Sequence, residues 1–192
     1  MKKSTSIFLI IAAVVVILAG FLISKYNSMV TMSERVDAKF SDIDTQLQRR
    51  ADLIPNLVSS VQGYMGHEQA AIEKVAEART KLMNANTVAE KADADNALSG
   101  ALANLLALSE NYPDLKANTN FITLMDELAG TENRIATSRK DYNDIVKEFN
   151  TLIKRFPNSM LAGMFGFGEK EYFKAAEGAS EVPKVEFNNT TE

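Results

Sequence analysis

The chain has 192 residues, enough for one domain with a single core by the usual span of roughly 100–200 residues per domain, and a formal net charge of −4 with Lys and Arg scattered along it. That acidic balance, without a basic stripe, argues against a nucleic-acid partner. The absence of Cys removes disulfides, thiolate chemistry, iron–sulfur ligation and Cys-based zinc sites together, and one His, no Trp, 9 Gly and 4 Pro against 46% hydrophobic residues is the profile of a helix-rich chain with few tight turns.

Residues 1–6 are a short tail carrying Lys2 and Lys3, and residues 7–23 (IFLIIAAVVVILAGFLI) follow without a charged or amide side chain. As a helix this run is about 26 Å long, and with Thr5 and Ser6 it can span a hydrocarbon core. A cleaved secretory signal is the competing reading, but small residues are wanted both three and one positions before a cut, and Ile17 and Leu18 stand before Ala19 and Gly20. Lipidation is excluded, because Phe21 stands where Leu18-Ala19-Gly20 would need a Cys. The expectation is an uncleaved single-pass anchor. Lys2, Lys3 and the terminal amine, set against Lys25, Arg35 and Lys39, tip the orientation towards an inside N-terminus with the bulk of the chain extracytoplasmic.

Residues 24–157 read as long helices. Val36, Phe40, Ile43 and Leu47 step by four, three and four, so the anchor helix is expected to continue to about Arg50 with one apolar face. A second helix is predicted from an Asp52 N-cap, with Pro55 in its first turn and Ile54, Leu57, Val61, Tyr64, Ala71, Val75, Ala78 and Leu82 on its stripe. Asn84, Asn86 and Thr87 break the pattern; Leu98, Ala101, Leu105, Leu108 and Tyr112 define a third helix, and Pro113 marks its boundary. A fourth, from Ala117 to before Pro157, carries Phe121, Leu128, Ile135, Tyr142, Phe149 and Phe156 every seventh residue, with Leu124, Ile145 and Leu152 interleaved. Burying four such stripes calls for an all-α, elongated antiparallel bundle of four-helix type with coiled-coil-like packing. In residues 158–192, MLAGMFGFGEKEYF suits a non-helical wrap, residues 169–177 a short helix, and the end a frayed tail.

Arg49, Arg50 and Asp52 suit the two helix ends they are expected to occupy, and with Asn56 they are also a candidate partner-binding cluster. The apolar segment with Met160, Met164, Phe165, Phe167 and Phe173 is a second candidate interaction surface. Glu68 on the second stripe, and Glu132 and Arg139 with Thr131 and Ser138 on the fourth, imply a polar layer inside the bundle. Such a layer either fixes register or holds a small polar ligand. His67 beside Glu68 is no acid–base pair, since adjacent helical residues point about 100° apart. Asp93-Ala94-Asp95-Asn96 opens like a calcium loop, but Ala97 and Leu98 stand where a ligand and the turn Gly belong. The glycines at 163, 166 and 168 follow neither dinucleotide-binding nor phosphate-loop order, and there is no G-x-S-x-G. No catalytic set, cofactor site or metal site is expected.

The segments RRADLIPNLVSSVQGYMGHE (49–68), EAR (77–79), NYPDLKANTNF (111–121), ENRIATSRKDYN (132–143), Phe156-Pro157 and GFGEKEYF (166–173) together resemble the LemA family. The resemblance covers nearly all of the chain after the anchor. It implies a bacterial membrane protein with one N-terminal span and a bundle of long helices, and it implies no particular activity. The function expected is therefore a non-enzymatic scaffold or adaptor of the cell envelope, anchored in the inner membrane. Other envelope proteins are its expected partners, and homo-oligomers are left open. A ligand-sensing or solute-binding bundle is the alternative; an envelope hydrolase resting on Glu68 or His67 is the third.

Overall fold

The computed structural model describes residues 2–174, which form six helices and no strand. The helix α1 spans Lys2–Gln62, α2 Gln69–Asn84, α3 Val88–Ser109, α4 Pro113–Lys116, α5 Thr119–Lys154 and α6 Asn158–Phe165. The fold is all-α, as the composition and periodicity indicate. An 18-residue window of α1 near the N-terminus reaches a mean hydropathy of 3.1 with none of it buried, so this helix is long and apolar enough to cross a membrane.

Two helix boundaries differ from expectation. No break occurs at Ala51-Asp52; α1 runs on through Pro55 to Gln62. Its end comes at the turn around Gly63 and Gly66, where two residues of very low helix propensity stand close together. Tyr64 and Glu68 therefore sit in the α1–α2 turn and not on a helical stripe. The second correction concerns residues 160–165, which belong to the helix α6 where a non-helical wrap was expected; residues 166–173 of that wrap are non-helical. Among its described glycines, Gly166 alone takes a left-handed φ, of 76°, and closes the helix, with its N–H bonded to the Ala162 carbonyl. Residues 167–174 then take no helix, so the short helix predicted from Glu169 does not form over those positions; residues 175–192, which include its end and the expected frayed tail, lie outside the described residues.

The chain divides into two units. One consists of the chain up to Arg49 with Ala129–Tyr172. Here α1 buries Met29, Val36, Ile43 and Leu47, α5 buries Ile135, Tyr142, Val146 and Phe149, and Leu161 and Ala162 of α6 join them. The two long helices run antiparallel, because Phe40 meets Tyr142 while Tyr26, further back on α1, shares Phe167 with Phe149, further on along α5.

The other unit consists of Arg50–Leu128 with Phe173. Ile54, Leu57 and Val61 of α1, Ile72, Val75 and Leu82 of α2, and Leu98, Leu102 and Leu105 of α3 are buried within it. Thr87 starts α3 with a complete capping box: its hydroxyl accepts from the Glu90 N–H, and the Glu90 carboxylate accepts from the Thr87 N–H at 3.0 Å and the Asn86 N–H at 2.8 Å. Those two donors hold Glu90 below the usual carboxylate range. Asn118 starts α5 in the same way, its Oδ1 accepting from Asn120 and Phe121.

Candidate functional site

In the unit beginning at Arg50, the continuity of α1 rests on a neighbour. Pro55 has no N–H to offer the Ala51 carbonyl one turn back, and a proline inside a helix normally breaks it for that reason. Here Arg79 of α2 reaches across and donates from Nε to that carbonyl at 2.8 Å. Ala51 has no exposed surface, so without Arg79 its oxygen would lack the bond an α-helix supplies. Beside it, Arg50 donates to Asp95 of α3 at 2.5 Å, with side-chain exposures of 5% and 0%. Asp95 lies on the buried face of α3 between Ala92 and Leu98, three residues either way. At the turn, the Tyr112 hydroxyl reaches Glu68 at 3.5 Å, and Asn118 donates to the Tyr64 hydroxyl at 3.0 Å.

In the first unit a second set of bonds fastens the non-helical residues after α6 to the two long helices. Asn150 and Lys170 exchange two bonds of 2.9 Å, the side-chain amide pairing with the Lys170 main chain as a neighbouring strand would. The Tyr142 hydroxyl donates to the Glu171 carbonyl at 2.8 Å. Lys170 Nζ meets Asp37 at 2.8 Å and Lys154 meets Glu169 at 2.7 Å. Phe167 presents its ring edge-on to Phe149 and Tyr26. Burial, reinforced by the negative charges of Asp37 and Glu171, pushes the Tyr142 phenol up to about 12. Bonding to Asp42, with the further attraction of Asp141, raises Lys39.

The residues singled out from sequence fall as follows. Arg50 is buried in its ion pair and offers nothing to a partner, and neither Arg50 nor Asp52 is at a helix end. Arg49, Asp52 and Asn56 are exposed. Met160, Met164 and Phe165 are exposed, Phe167 is half-buried, and Phe173 is buried, so the last of these is not a surface residue. Glu132 and Arg139 lie two turns apart on one face of α5, half-buried, with Thr131 fully buried beside them. Glu68 belongs to the other unit and does not share their helix face. Asp95, with Asp93 and Asn96, is inside α3 and turned to Arg50. Sequence reasoning missed Arg79, Asp95, Tyr142 and Asn150 as bonding residues. The flanking Ala92 and Leu98 were the one local signal that Asp95 faces inward.

These groups can hold helices and the segment after α6 in place: Arg79, Tyr142 and Asn150 bond main-chain atoms, and the others bond one another's side chains. A separate open cleft of about 680 Å³ lies between α2 and α3, lined by Lys74, Glu77, Lys81 and Asn84 on one side and Ala97, Gly100 and Asn104 on the other. The arrangement as a whole defines an all-α protein in which a helix long and apolar enough to cross a membrane runs directly into helices locked by side-chain-to-main-chain bonds. The LemA family model matches residues 39–187, and the chain belongs to the LemA family. It is similar to the magnetosome proteins MamQ 1 and MamQ 2 of Paramagnetospirillum magneticum, each 31% identical over 83% of this chain and 68% of theirs. It is also similar to the protein LemA of Metamycoplasma hominis, 26% identical over 81% of this chain and 71% of that one.

Proposed function

We propose that the chain is a membrane-anchored, non-enzymatic scaffold or adaptor of the bacterial cell envelope, spanning the inner membrane once through residues 7–23 and presenting its folded helices outside the cytoplasm. The observation that carries this reading is the continuity of α1. Its apolar stretch has no protein packed on it, yet the same helix buries Met29 less than two turns beyond Ile23. An unsheathed apolar helix needs lipid as its solvent, and an uninterrupted helix transmits the anchor's position to the packed residues. The charged and amide groups at Arg50, Arg79, Asp95, Asn150 and Lys170 are engaged in holding main chain and one another, which suits a body built to keep its shape.

The test is alkaline carbonate extraction of membranes from cells producing the full chain, combined with protease treatment of spheroplasts carrying a C-terminal epitope. Retention in the pellet and loss of the epitope are expected; release into the supernatant would remove the anchor, and a protected epitope would reverse the side. Capture from crosslinked membranes is expected to recover the same proteins with the parent chain and to lose them when exposed Asp52 and Asn56 are replaced by Ala.

The second reading, a solute-binding bundle, is favoured by the α2–α3 cleft with its two lysines and two asparagines. Ligand binding to the folded state raises the melting temperature by mass action, so a polar-metabolite thermal-shift screen without any such rise would leave the scaffold reading alone.

A further inference from the structure

Resting on the reading of residues 7–23 as a membrane span, we propose that the outward face of α6, with Phe156 before it, dips into the lipid surface through which α1 emerges. The helix NSMLAGMF carries no charged residue at all. A helix lying between protein and water normally turns a charged or polar face outward, whereas the polar residues of α6 are confined to its first turn, Asn158 buried and Ser159 exposed. In α6 the inward side is covered, with Leu161 and Ala162 buried. The outward side has Met160 at 68% and Met164 at 70% exposure, and Phe156, two residues before the helix, is 81% exposed.

The height of this face is set by its contacts. Phe165 meets Tyr26 edge-on at 4.9 Å, and Phe167 meets the same ring at 5.9 Å. Tyr26 is three residues past Ile23, about 4.5 Å along the helix, which is within the headgroup layer of roughly 5–7 Å on each side of the hydrocarbon. Tyr is a residue of that layer. Lys25, next to it, is the first charged residue after the apolar run, and its four-carbon stem is long enough to carry the ammonium to the headgroups. Exposed Arg155 precedes Phe156 and supplies a positive charge suited to anionic headgroups. The aromatic contact thus fixes α6 beside the anchor at interfacial depth, and an amphipathic segment there buries its apolar face about 5–10 Å into the boundary.

The chain has no Trp, so a single introduced indole reports depth cleanly. Full-length Ile17→Trp, Met160→Trp, Met164→Trp and Ser41→Trp are reconstituted into phosphatidylcholine–phosphatidylglycerol vesicles containing lipids brominated either near the headgroup or near the chain end. Quenching of the indole at position 17 is expected to be strongest with the deep label, and of those at positions 160 and 164 with the shallow label. The indole at position 41, about 27 Å further along α1 than Ile23, is expected to respond to neither. Unquenched, red-shifted emission at both 160 and 164, with quenching retained at 17, would overturn the proposal and leave the span intact; an unquenched indole at 17 would overturn the span itself. Blue-shifted but unquenched emission at 160 and 164 that depends on protein density in the vesicles would assign the face to a second copy of the chain, and so would also overturn it.

Discussion

Replacing Asp95 by Ala removes a buried carboxylate from a guanidinium that has almost no access to water: Arg50 is 4% exposed, and its pair with Asp95 joins α1 to α3 inside the packed core. The energy of the pair itself is small once the cost of desolvating both ions is subtracted, but an unpaired buried charge keeps the cost and loses the return. Breaking such a pair from one side costs about 3–5 kcal/mol. For a chain of this length each kcal/mol moves the melting temperature by roughly 2–4 °C, so the full-length variant in detergent or nanodiscs should melt about 6–20 °C below the parent, read by loss of helical circular dichroism. Two controls bracket the result. Asp93→Ala, two residues away and exposed, should stay within about 0.5 kcal/mol of the parent. The double replacement Arg50→Met with Asp95→Leu, which empties the site of charge at similar volume, should restore the parent's stability or exceed it. A melting temperature for Asp95→Ala within about 2 °C of the parent, or a double variant no better than the single one, would refute the account of a desolvated ion pair.

Other outcomes follow from the same geometry. Arg79→Ala strips the Ala51 carbonyl of its donor and should cost about 1–3 kcal/mol; in a Pro55→Ala background, where residue 55 regains an N–H for that carbonyl, denaturant titration should show a smaller penalty. Tyr142 has a folded-state value raised to about 12 from 10.0, so its contribution is whole below pH 10 and is lost as pH rises from there through 12. Unfolding measured across that window should show Tyr142→Phe losing less stability with rising pH than the parent does. Glu90 is shifted the other way, below its ordinary 4.5, so its contribution is whole above pH 4.5 and is lost as pH falls through its lowered folded-state value. The stability gap between the parent and Glu90→Gln should therefore close in acid.

What could be read from the sequence was whatever depends on spacing along one helix. Phe121, Leu128, Ile135, Tyr142 and Phe149 recur every seventh residue and every one is buried. Phe156 keeps the same step yet is exposed, because α5 ends at Lys154 and periodicity has no meaning past the last turn. The residues that reading missed depend on a second element. Pro55 obeys its local rule as a helix boundary until Arg79, from another helix, supplies the missing bond. Arg50 looks like a helix-end cation until Asp95, 45 residues on, is known to face it. Nothing in the local sequence distinguishes Gly163, Gly166 and Gly168, yet among these Gly166 is the one with a left-handed backbone, and Gly163 is carried inside α6.

The polar residues that hold this chain together have a common placement. Arg79 serves the carbonyl orphaned by Pro55, Asn118 the first N–H groups of α5, Asn158 the Leu152 carbonyl in the last turn of α5, and Asn150 and Tyr142 the main chain of the non-helical segment after α6. Each is a point where the helical ladder cannot satisfy the backbone by itself, and a buried backbone group left unbonded costs about as much as a lost hydrogen bond. Bonds of this kind require a donor or acceptor of the right reach but no particular side chain on the other end. That makes Arg79, Asn118, Tyr142 and Asn150 sensitive to replacement even though the oxygens and amides they hold belong to residues that can vary. The same logic separates the two kinds of exposed surface in the unit that carries the anchor. Where water covers a helix, as along the outer face of α5 with Lys140, Asp144 and Lys147, charge alternates freely; where α6 turns outward beside Tyr26, charge is missing altogether, and lipid is the solvent that asks for none.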